Sequence, residues 1–208
     1  MKQRIRVLGI GPGNPEYRTV KVNKYIEEAE ILVLSKRLLE EFDKHKAEKY
    51  VISGRLEPLF EKLQNISKEK TITFLLSGDV GIYALLPRIK ENFVDAEISC
   101  EPGISSVQYL FSRWGKSYEN VRVFSAHGRP FPYEEIKTYK GKIAILSDPK
   151  WTPNRILEEF CLLGFSDVEG IVGTKLSYKD ETIKKGLLKE LKNNTFEKFG
   201  VVIINEMV

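Results

Sequence analysis

The feature that most constrains the fold is the alternation, in the first half of the chain, of short apolar runs with stretches of helical periodicity. The runs have the length and composition of β-strands and lie at residues 5–10, 31–34, 71–76 and 96–100. Between the first two runs, apolar side chains recur at helical spacing from Val22 to Ala29. Alternating strands and helices are typical of a largely parallel sheet, so we predict an α/β unit here.

The second half of the chain has a similar alternation. A polar connection at residues 113–120 leads to strand-like runs at 121–124, 143–146, 168–172 and 201–204. Pro153 is expected to open a helix that Gly164 closes, which is the usual placement of proline and glycine at helix ends. We predict two α/β lobes, residues 1–116 with the glycine-rich loops and residues 117–208, and a ligand cleft between them.

The composition excludes several classes of protein. The apolar runs fall well short of the about 20 residues that a membrane helix needs. The basic start passes directly into a strand-like run, so we expect a cytoplasmic protein that does not enter a membrane. Cys100 and Cys161 have no CxxC partner, so we predict neither a disulfide nor a metal site. The net charge of +4 is spread along the chain and mildly favours an anionic ligand.

A glycine-rich segment, GIGPGNPE at residues 9–16, follows the first predicted strand. Glycines permit tight turns and a close approach of the backbone to a ligand, which makes Gly11, Pro12 and Gly13 candidates for a binding loop. The segment is not a dinucleotide fingerprint, because Asn14 stands where that motif has glycine. It is not a P-loop either, because no Gly-Lys-Ser/Thr follows. A plain strand-to-helix turn stays open as the alternative.

Two further glycine-containing loops follow the third and fourth predicted strands, SGDVGIY at residues 77–83 and EPGISS at 101–106. In a parallel sheet the carboxyl ends of the strands share one edge, where ligands usually bind. Asp79 is expected either to accept hydrogen bonds from a ligand or to cap the following helix. Ser105 and Ser106 are placed to donate hydrogen bonds at a helix start, or simply to cap that helix.

The order of these three segments, followed by SAHGRPF at residues 125–131, resembles the tetrapyrrole methylase family. Within that family it is most similar to the cobalamin-pathway branch that methylates carbon-5 of a precorrin. VGTKLSY at residues 172–178 resembles the family's last signature, so the resemblance covers nearly the whole chain. One departure is Val80, where the family's second motif usually has proline. The resemblance implies a fold of two α/β lobes, with S-adenosyl-L-methionine bound between them, and a homodimer.

Carried across motif by motif, the resemblance implies two sets of site residues. The S-adenosylmethionine site would be formed by Gly11, Pro12, Gly13, Ser77, Gly78, Asp79, Ile82, Ser105, Ser106, Leu146 and Leu176. The acceptor would contact Arg37, Tyr83, Glu101, His127 and Arg129. His127 and Arg129 are also the candidate catalytic residues, because a histidine can accept a proton near neutrality and an arginine binds carboxylates through charge-assisted hydrogen bonds. His45 lies in a charged stretch and is expected at the solvated surface.

The implied function is methyl transfer from S-adenosylmethionine to carbon-5 of a polycarboxylate tetrapyrrole, converting cobalt-precorrin-7 to cobalt-precorrin-8. The same fold would suit another acceptor, such as a different precorrin position, a diphthamide precursor or ribosomal RNA. Basic residues are interleaved with acidic ones, which argues against a nucleic-acid partner. A module that binds S-adenosylmethionine without catalysis is the alternative from a different class. Because 208 residues leave no room for a carbon-15 methyltransferase and decarboxylase, we expect that activity in a separate partner enzyme.

Overall fold

The computed structural model describes residues 1–206. The chain forms two compact α/β units, one of residues 1–105 and one that begins at Ser106.

The first unit is a parallel sheet with helices against both faces. Its strands are β1 (Arg4–Gly9), β2 (Ile31–Ser35), β3 (Glu48–Ile52), β4 (Thr71–Leu76) and β5 (Glu97–Glu101). Its helices are α1 (Val20–Glu27), α2 (Glu57–Gln64) and α3 (Leu86–Asn92). The strand order is β3-β2-β4-β1-β5, and every neighbouring pair is parallel. The largely parallel sheet predicted for this half is therefore confirmed.

The central strands of this sheet are nearly continuous apolar runs because both of their faces are covered. Successive side chains of a strand point to opposite faces. Along β2, Val33 lies in the same buried cluster as Phe60 of α2, whereas Leu34 lies in the cluster of Ile26 from α1. Helices on the two faces leave the ends of the strands for the connecting loops, and the sequence motifs lie in those loops.

The second unit has a mixed sheet. It consists of α4 (Ser106–Trp114), β6 (Val121–Ser125), α5 (Tyr133–Thr138), β7 (Lys142–Leu146), α6 (Pro153–Leu162), β8 (Glu169–Thr174), β9 (Thr182–Leu187), α7 (Leu188–Leu191) and β10 (Gly200–Ile204). The strand order is β6-β7-β10-β8-β9. Only β6 and β7 are parallel among these neighbours, and the other pairs are antiparallel.

Helix α6 begins and ends where the sequence predicts. The Thr152 hydroxyl accepts a hydrogen bond from the Arg155 backbone N–H at 3.3 Å, and Pro153 occupies the first turn, where its missing N–H costs nothing. Gly164 has φ +95°, the left-handed conformation that commonly ends a helix.

The boundary between the units falls between Ser105 and Ser106, whereas the predicted boundary lies after residue 116. Helix α4 accounts for the difference, because it packs on β8 and β10 of the second unit. The third glycine loop therefore closes the first unit, and the helix that follows it belongs to the second.

Strands β3 and β9 were not predicted. Both are edge strands, and their residues are mostly half-buried or exposed, so neither carries an apolar run. Within residues 1–206, no helix is long and apolar enough to cross a membrane.

Candidate active site

The three glycine-containing loops of the first unit lie side by side. They follow β4, β1 and β5, which are adjacent parallel strands, so all three leave the same edge of the sheet. The register places Gly9 opposite Leu76 and Leu8 opposite Glu101, so the three strands end at nearly the same level. The predicted convergence of the three motifs at one sheet edge is confirmed.

Backbone contacts hold the first two loops together. The Gly78 N–H donates to the Gly11 carbonyl at 2.7 Å, and the Gly11 N–H donates back to the Gly78 carbonyl at 3.2 Å. Both residues have positive φ, +81° for Gly11 and +71° for Gly78, which favours glycine at these positions. The two loops thus form one unit of paired backbone beyond the strand ends.

The third loop packs against this pair without any intervening side chain. A Cβ added to Gly9 would lie 2.6 Å from the Gly103 nitrogen and 2.8 Å from the Gly78 oxygen. A Cβ added to Gly103 would overlap the same Gly78 oxygen and the Gly9 carbonyl group. The close approach of the three loops therefore requires glycine at both positions.

Asp79 connects the second loop to the third. One carboxylate oxygen, Oδ1, accepts from the Gly81 N–H at 2.8 Å, and Oδ2 accepts from the Gly103 N–H at 3.1 Å. Helix α3 begins only at Leu86, so Asp79 does not cap it, and that alternative is wrong. A direct contact of Asp79 with a cofactor stays a prediction, while its structural role is to fix the distance between two loops.

Arg37 brings a positive charge to the same edge. It lies in the 3-10 turn Lys36–Leu38, directly after β2, and β2 is the neighbour of β4. Its guanidinium donates a hydrogen bond to the Ser77 hydroxyl at the start of the second loop, and its side chain is exposed. An exposed guanidinium that is held in place is suited to bind a carboxylate.

Tyr83 and Glu101, the other two acceptor candidates of this unit, differ in their surroundings. Tyr83 is 45% exposed and has φ +49°, so the backbone holds this aromatic ring in an uncommon conformation for a residue other than glycine. Glu101 forms an ion pair with Lys21 at 2.6 Å. The hydrogen bond to Glu101 raises the pKa of Lys21, so a cation already compensates the carboxylate.

The remaining cofactor candidates of these loops are partly or fully buried. Gly13 and Ser105 are buried, and Pro12, Ile82 and Ser106 are half-buried. Ser105 is only 2% exposed and comes directly before α4, which begins at Ser106, as the sequence predicts.

His127 and Arg129 lie in an exposed loop directly after β6 of the second unit. The Ser125 hydroxyl accepts from the His127 backbone N–H at 3.3 Å, and the Arg129 N–H donates to the Ala126 carbonyl at 3.3 Å. The Ala126 N–H donates to the carbonyl of Leu146 at 2.9 Å. Leu146, the half-buried end of β7, therefore fixes the base of the loop that carries both candidate catalytic side chains.

Asp148 was missed by the sequence reasoning, and it anchors the same loop. Its carboxylate is 7% exposed and accepts from the backbone N–H groups of Gly128 at 3.2 Å, Lys150 at 2.8 Å and Trp151 at 2.6 Å. Burial by itself would raise the pKa of Asp148, but these three donors, together with the proximity of His127, lower it below its ordinary value. Asp148 lies two residues after Leu146, the last residue of β7, and this position near a strand end was the available signal.

Leu176 is buried in a turn with unusual backbone geometry. Its neighbours Lys175 and Ser177 have φ +49° and +67°, and the Ser177 N–H donates to Glu181 Oε2 at 2.6 Å. A Cβ added to Gly173 would lie 2.5 Å from Leu176 Cδ2, so the leucine covers this glycine closely. Packing against Gly173 is what the structure shows for Leu176, and its contact with a cofactor stays a prediction.

His45 differs from its prediction. It is half-buried, its Nδ1 accepts from the Ala47 N–H at 3.1 Å, and its ring meets Phe42 edge-on. The expected position at the solvated surface is therefore only partly correct, because the imidazole packs on Phe42 and caps a local turn.

The fold and these motifs define the class of protein. Residues 4–192 match the family model of the Tetrapyrrole (Corrin/Porphyrin) Methylases. The chain belongs to this family and is a methyltransferase of the tetrapyrrole methylase type.

Two relatives match over nearly their whole length. The chain is 32% identical over 208 residues to a probable cobalt-precorrin-7 C(5)-methyltransferase of Methanocaldococcus jannaschii, covering 96% of each chain. It is 27% identical over 202 residues to the cobalt-precorrin-7 C(5)-methyltransferase of Salmonella typhimurium, covering 97% of this chain and 99% of the relative.

A solved structure shares the fold. It is the uroporphyrin-III C-methyltransferase from Thermus thermophilus complexed with S-adenosyl homocysteine, with a TM-score of 0.78 and 17% identity. The match covers 98% of this chain and 97% of that chain. The expected tetrapyrrole methylase fold is thus confirmed, whereas the role of each candidate site residue stays a prediction.

Proposed function

We propose that this protein transfers a methyl group from S-adenosylmethionine to carbon-5 of a precorrin, cobalt-precorrin-7 in the anaerobic route. The observation that carries the proposal is the convergence of three glycine loops at one edge of a parallel sheet, in a chain of this methylase family. The choice of acceptor is supported by the names of the two relatives, which match nearly end to end.

The loops of the first unit fit such a cofactor. Gly11 and Gly78 carry no side chain, so a ligand can approach the paired backbone of the two loops closely. The serine hydroxyls at 105 and 106 add donors at the start of α4. When bound, S-adenosylmethionine supplies a methyl group that is already attached to a good leaving group.

The protein's own residues then have three tasks. The rigid loops hold the reactants in a fixed geometry, and such positioning can lower a barrier by roughly 7 to 11 kcal/mol. Arg37 and Arg129 bind carboxylates of the acceptor through charge-assisted hydrogen bonds. The imidazole of His127 accepts the proton that the acceptor loses after methylation, a role that histidine fills more often than any other side chain in enzymes.

The proposal also covers the oligomeric state of the protein and its location in the cell. We propose a homodimer in the cytoplasm that works beside a separate carbon-15 methyltransferase and decarboxylase. Sedimentation of the purified protein at micromolar concentration tests the dimer, and a single species of 23.9 kDa would contradict it.

Calorimetric titration tests the cofactor part of the proposal. S-adenosylhomocysteine should bind with one site per chain, whereas NAD, which the loop sequence excludes, should give no heat of binding. In the same preparation, S-adenosylmethionine and cobalt-precorrin-7 should give a product heavier by one methyl group. Binding without transfer would contradict the acceptor assignment, and absence of binding would contradict the cofactor.

A further inference from the structure

Phe199 is an exposed aromatic residue beside the His127 loop. Its side chain is 58% exposed, and its ring centroid lies 6.4 Å from that of His127 with the planes inclined by 36°. It comes directly before β10. It does not belong to any hydrophobic cluster of the described residues. Two rings on different loops thus stand next to each other at the surface of one unit.

The backbone on both sides of Phe199 is fixed by one buried residue, Ser147. Its hydroxyl donates to the Lys198 carbonyl at 3.0 Å and accepts from the Gly200 N–H at 2.7 Å. Its own N–H donates to the Gly200 carbonyl at 3.0 Å. Because Ser147 is only 6% exposed, these hydrogen bonds are shielded from water, and Phe199 is held in place although its ring is exposed.

The next residue in sequence fixes the second ring. Asp148 accepts from the Gly128 N–H at 3.2 Å, and Gly128 follows His127 directly. Two consecutive buried polar residues, Ser147 and Asp148, therefore hold the two loops that carry Phe199 and His127. A surface ring on a fixed backbone loses little conformational entropy when it contacts a ligand.

We propose that Phe199 and His127 together form a contact surface for a flat face of the tetrapyrrole acceptor, and that Phe199 determines specificity for such a ring. This inference rests on the proposed function, because it assigns the loops of His127 and Phe199 to one part of the proposed acceptor. An aromatic ring presents an apolar face that stacks on a conjugated or partly reduced macrocycle. Arg129, in the same loop as His127, supplies a cation for the carboxylates that surround such a macrocycle.

The first arm of the test measures acceptor binding. Phe199→Ala should weaken binding of cobalt-precorrin-7, measured in the presence of S-adenosylhomocysteine, by about tenfold, the upper end of what one aromatic pair contributes. Phe199→Tyr should retain binding because it keeps the ring. Leu162→Ala, which removes another exposed apolar side chain of this unit, is the matched control and should leave acceptor affinity unchanged.

The second arm measures the geometry without any substrate. The chain contains two histidines, so His127 and His45 give separate ring C–H resonances in NMR spectra. Phe199→Leu should shift the His127 resonance, because it removes a neighbouring aromatic ring, and should leave the His45 resonance in place.

Failure of the role of Phe199 can be distinguished from failure of the proposed function. Unchanged acceptor affinity in Phe199→Ala, with wild-type protein that binds and methylates the acceptor, would overturn the role of Phe199 alone. A dimer that dissociates in this variant at unchanged acceptor affinity would also overturn it and assign the ring to a contact between copies of the chain. Wild-type protein that binds no tetrapyrrole would overturn both proposals.

Discussion

At the scale of single residues, the buried carboxylate of Asp148 helps to hold the loop that carries the SAHGR motif. Its carboxylate receives three backbone N–H groups, two of them from the segment after β7 and one from the loop of His127. The donors are fixed by the backbone, so the carboxylate is favoured over the acid although it is buried. Asp148 thus adds one hydrogen bond, at Gly128, to those that hold the SAHGR segment through Ser125, Ala126 and Leu146.

Replacing Asp148 by Ala should lower the free energy of unfolding by about 2 kcal/mol at neutral pH, because three backbone donors lose a charged acceptor. The pKa of Asp148 is lower in the folded protein than in the unfolded chain, so its contribution is fully present above the unfolded pKa. The contribution is lost as the pH falls through the lower, folded pKa. Urea unfolding of wild type and variant at neutral and acidic pH measures this difference.

The control for that experiment is Asp43→Asn, at an exposed position. Its unfolding free energy should follow the wild type at every pH. A difference between wild type and Asp148→Ala that stays constant down to strongly acidic pH would contradict the assigned role of the charge.

Replacing His127 by Gln should lower turnover about 10²-fold or more, the lower end of what general base catalysis contributes, while the affinity for S-adenosylhomocysteine stays unchanged. Because His127 is not one of the candidate cofactor residues, its replacement should change turnover without changing the affinity for S-adenosylhomocysteine. Single-turnover kinetics and calorimetry on the same preparation measure the two quantities. Unchanged turnover would remove His127 from the mechanism.

At the scale of elements, the three glycine loops illustrate what sequence can and cannot predict. Strands β1 and β4 are recognisable as apolar runs because both faces of the sheet are covered there, and the shared edge was predicted correctly. The predicted ends of the three strands agree with the structure to within one residue. The contact from Asp79 to Gly103 was not predictable, because it joins residues 24 apart on two loops whose shapes depend on each other. The edge strands β3 and β9 were not predicted, because neither contains an apolar run.

Gly103→Ala tests the close approach of these loops. Its Cβ would overlap backbone atoms of Gly9, at the end of β1, and of Gly78, whose backbone is paired with Gly11, so neither can give way easily. We expect a loss of about 2 kcal/mol in unfolding free energy, the usual cost of overpacking. Because the loops must separate, the affinity for S-adenosylhomocysteine should also fall at least tenfold.

Gly54→Ala is the matched control in the same unit. It has positive φ, +58°, but a Cβ there meets no atom within 4 Å. It should cost about 1 kcal/mol through backbone strain and leave cofactor affinity unchanged. If both variants bind S-adenosylhomocysteine as the wild type does, the glycine loops are not the cofactor site.

At the scale of the whole molecule, the family was predictable because its motifs are local, whereas the division of the chain was not. Helix α4 follows the third loop without a break, and its assignment to the second unit depends on packing against β8 and β10. We propose that the choice among acceptors within the family depends on a few surface side chains, including Arg37, Arg129 and Phe199. Arg129 lies in the SAHGRPF segment, whereas Arg37 and Phe199 belong to none of the motifs, so a direct assay must identify the acceptor.

The most direct test of the central claim is the position of the transferred methyl group. Purified protein is incubated with cobalt-precorrin-7 and S-adenosylmethionine that carries a ¹³C-labelled methyl group, and the product is examined by NMR and mass spectrometry. We expect the product to gain one labelled methyl group, attached to carbon-5. A label at another carbon, or no labelled tetrapyrrole from protein that binds S-adenosylhomocysteine, would contradict it.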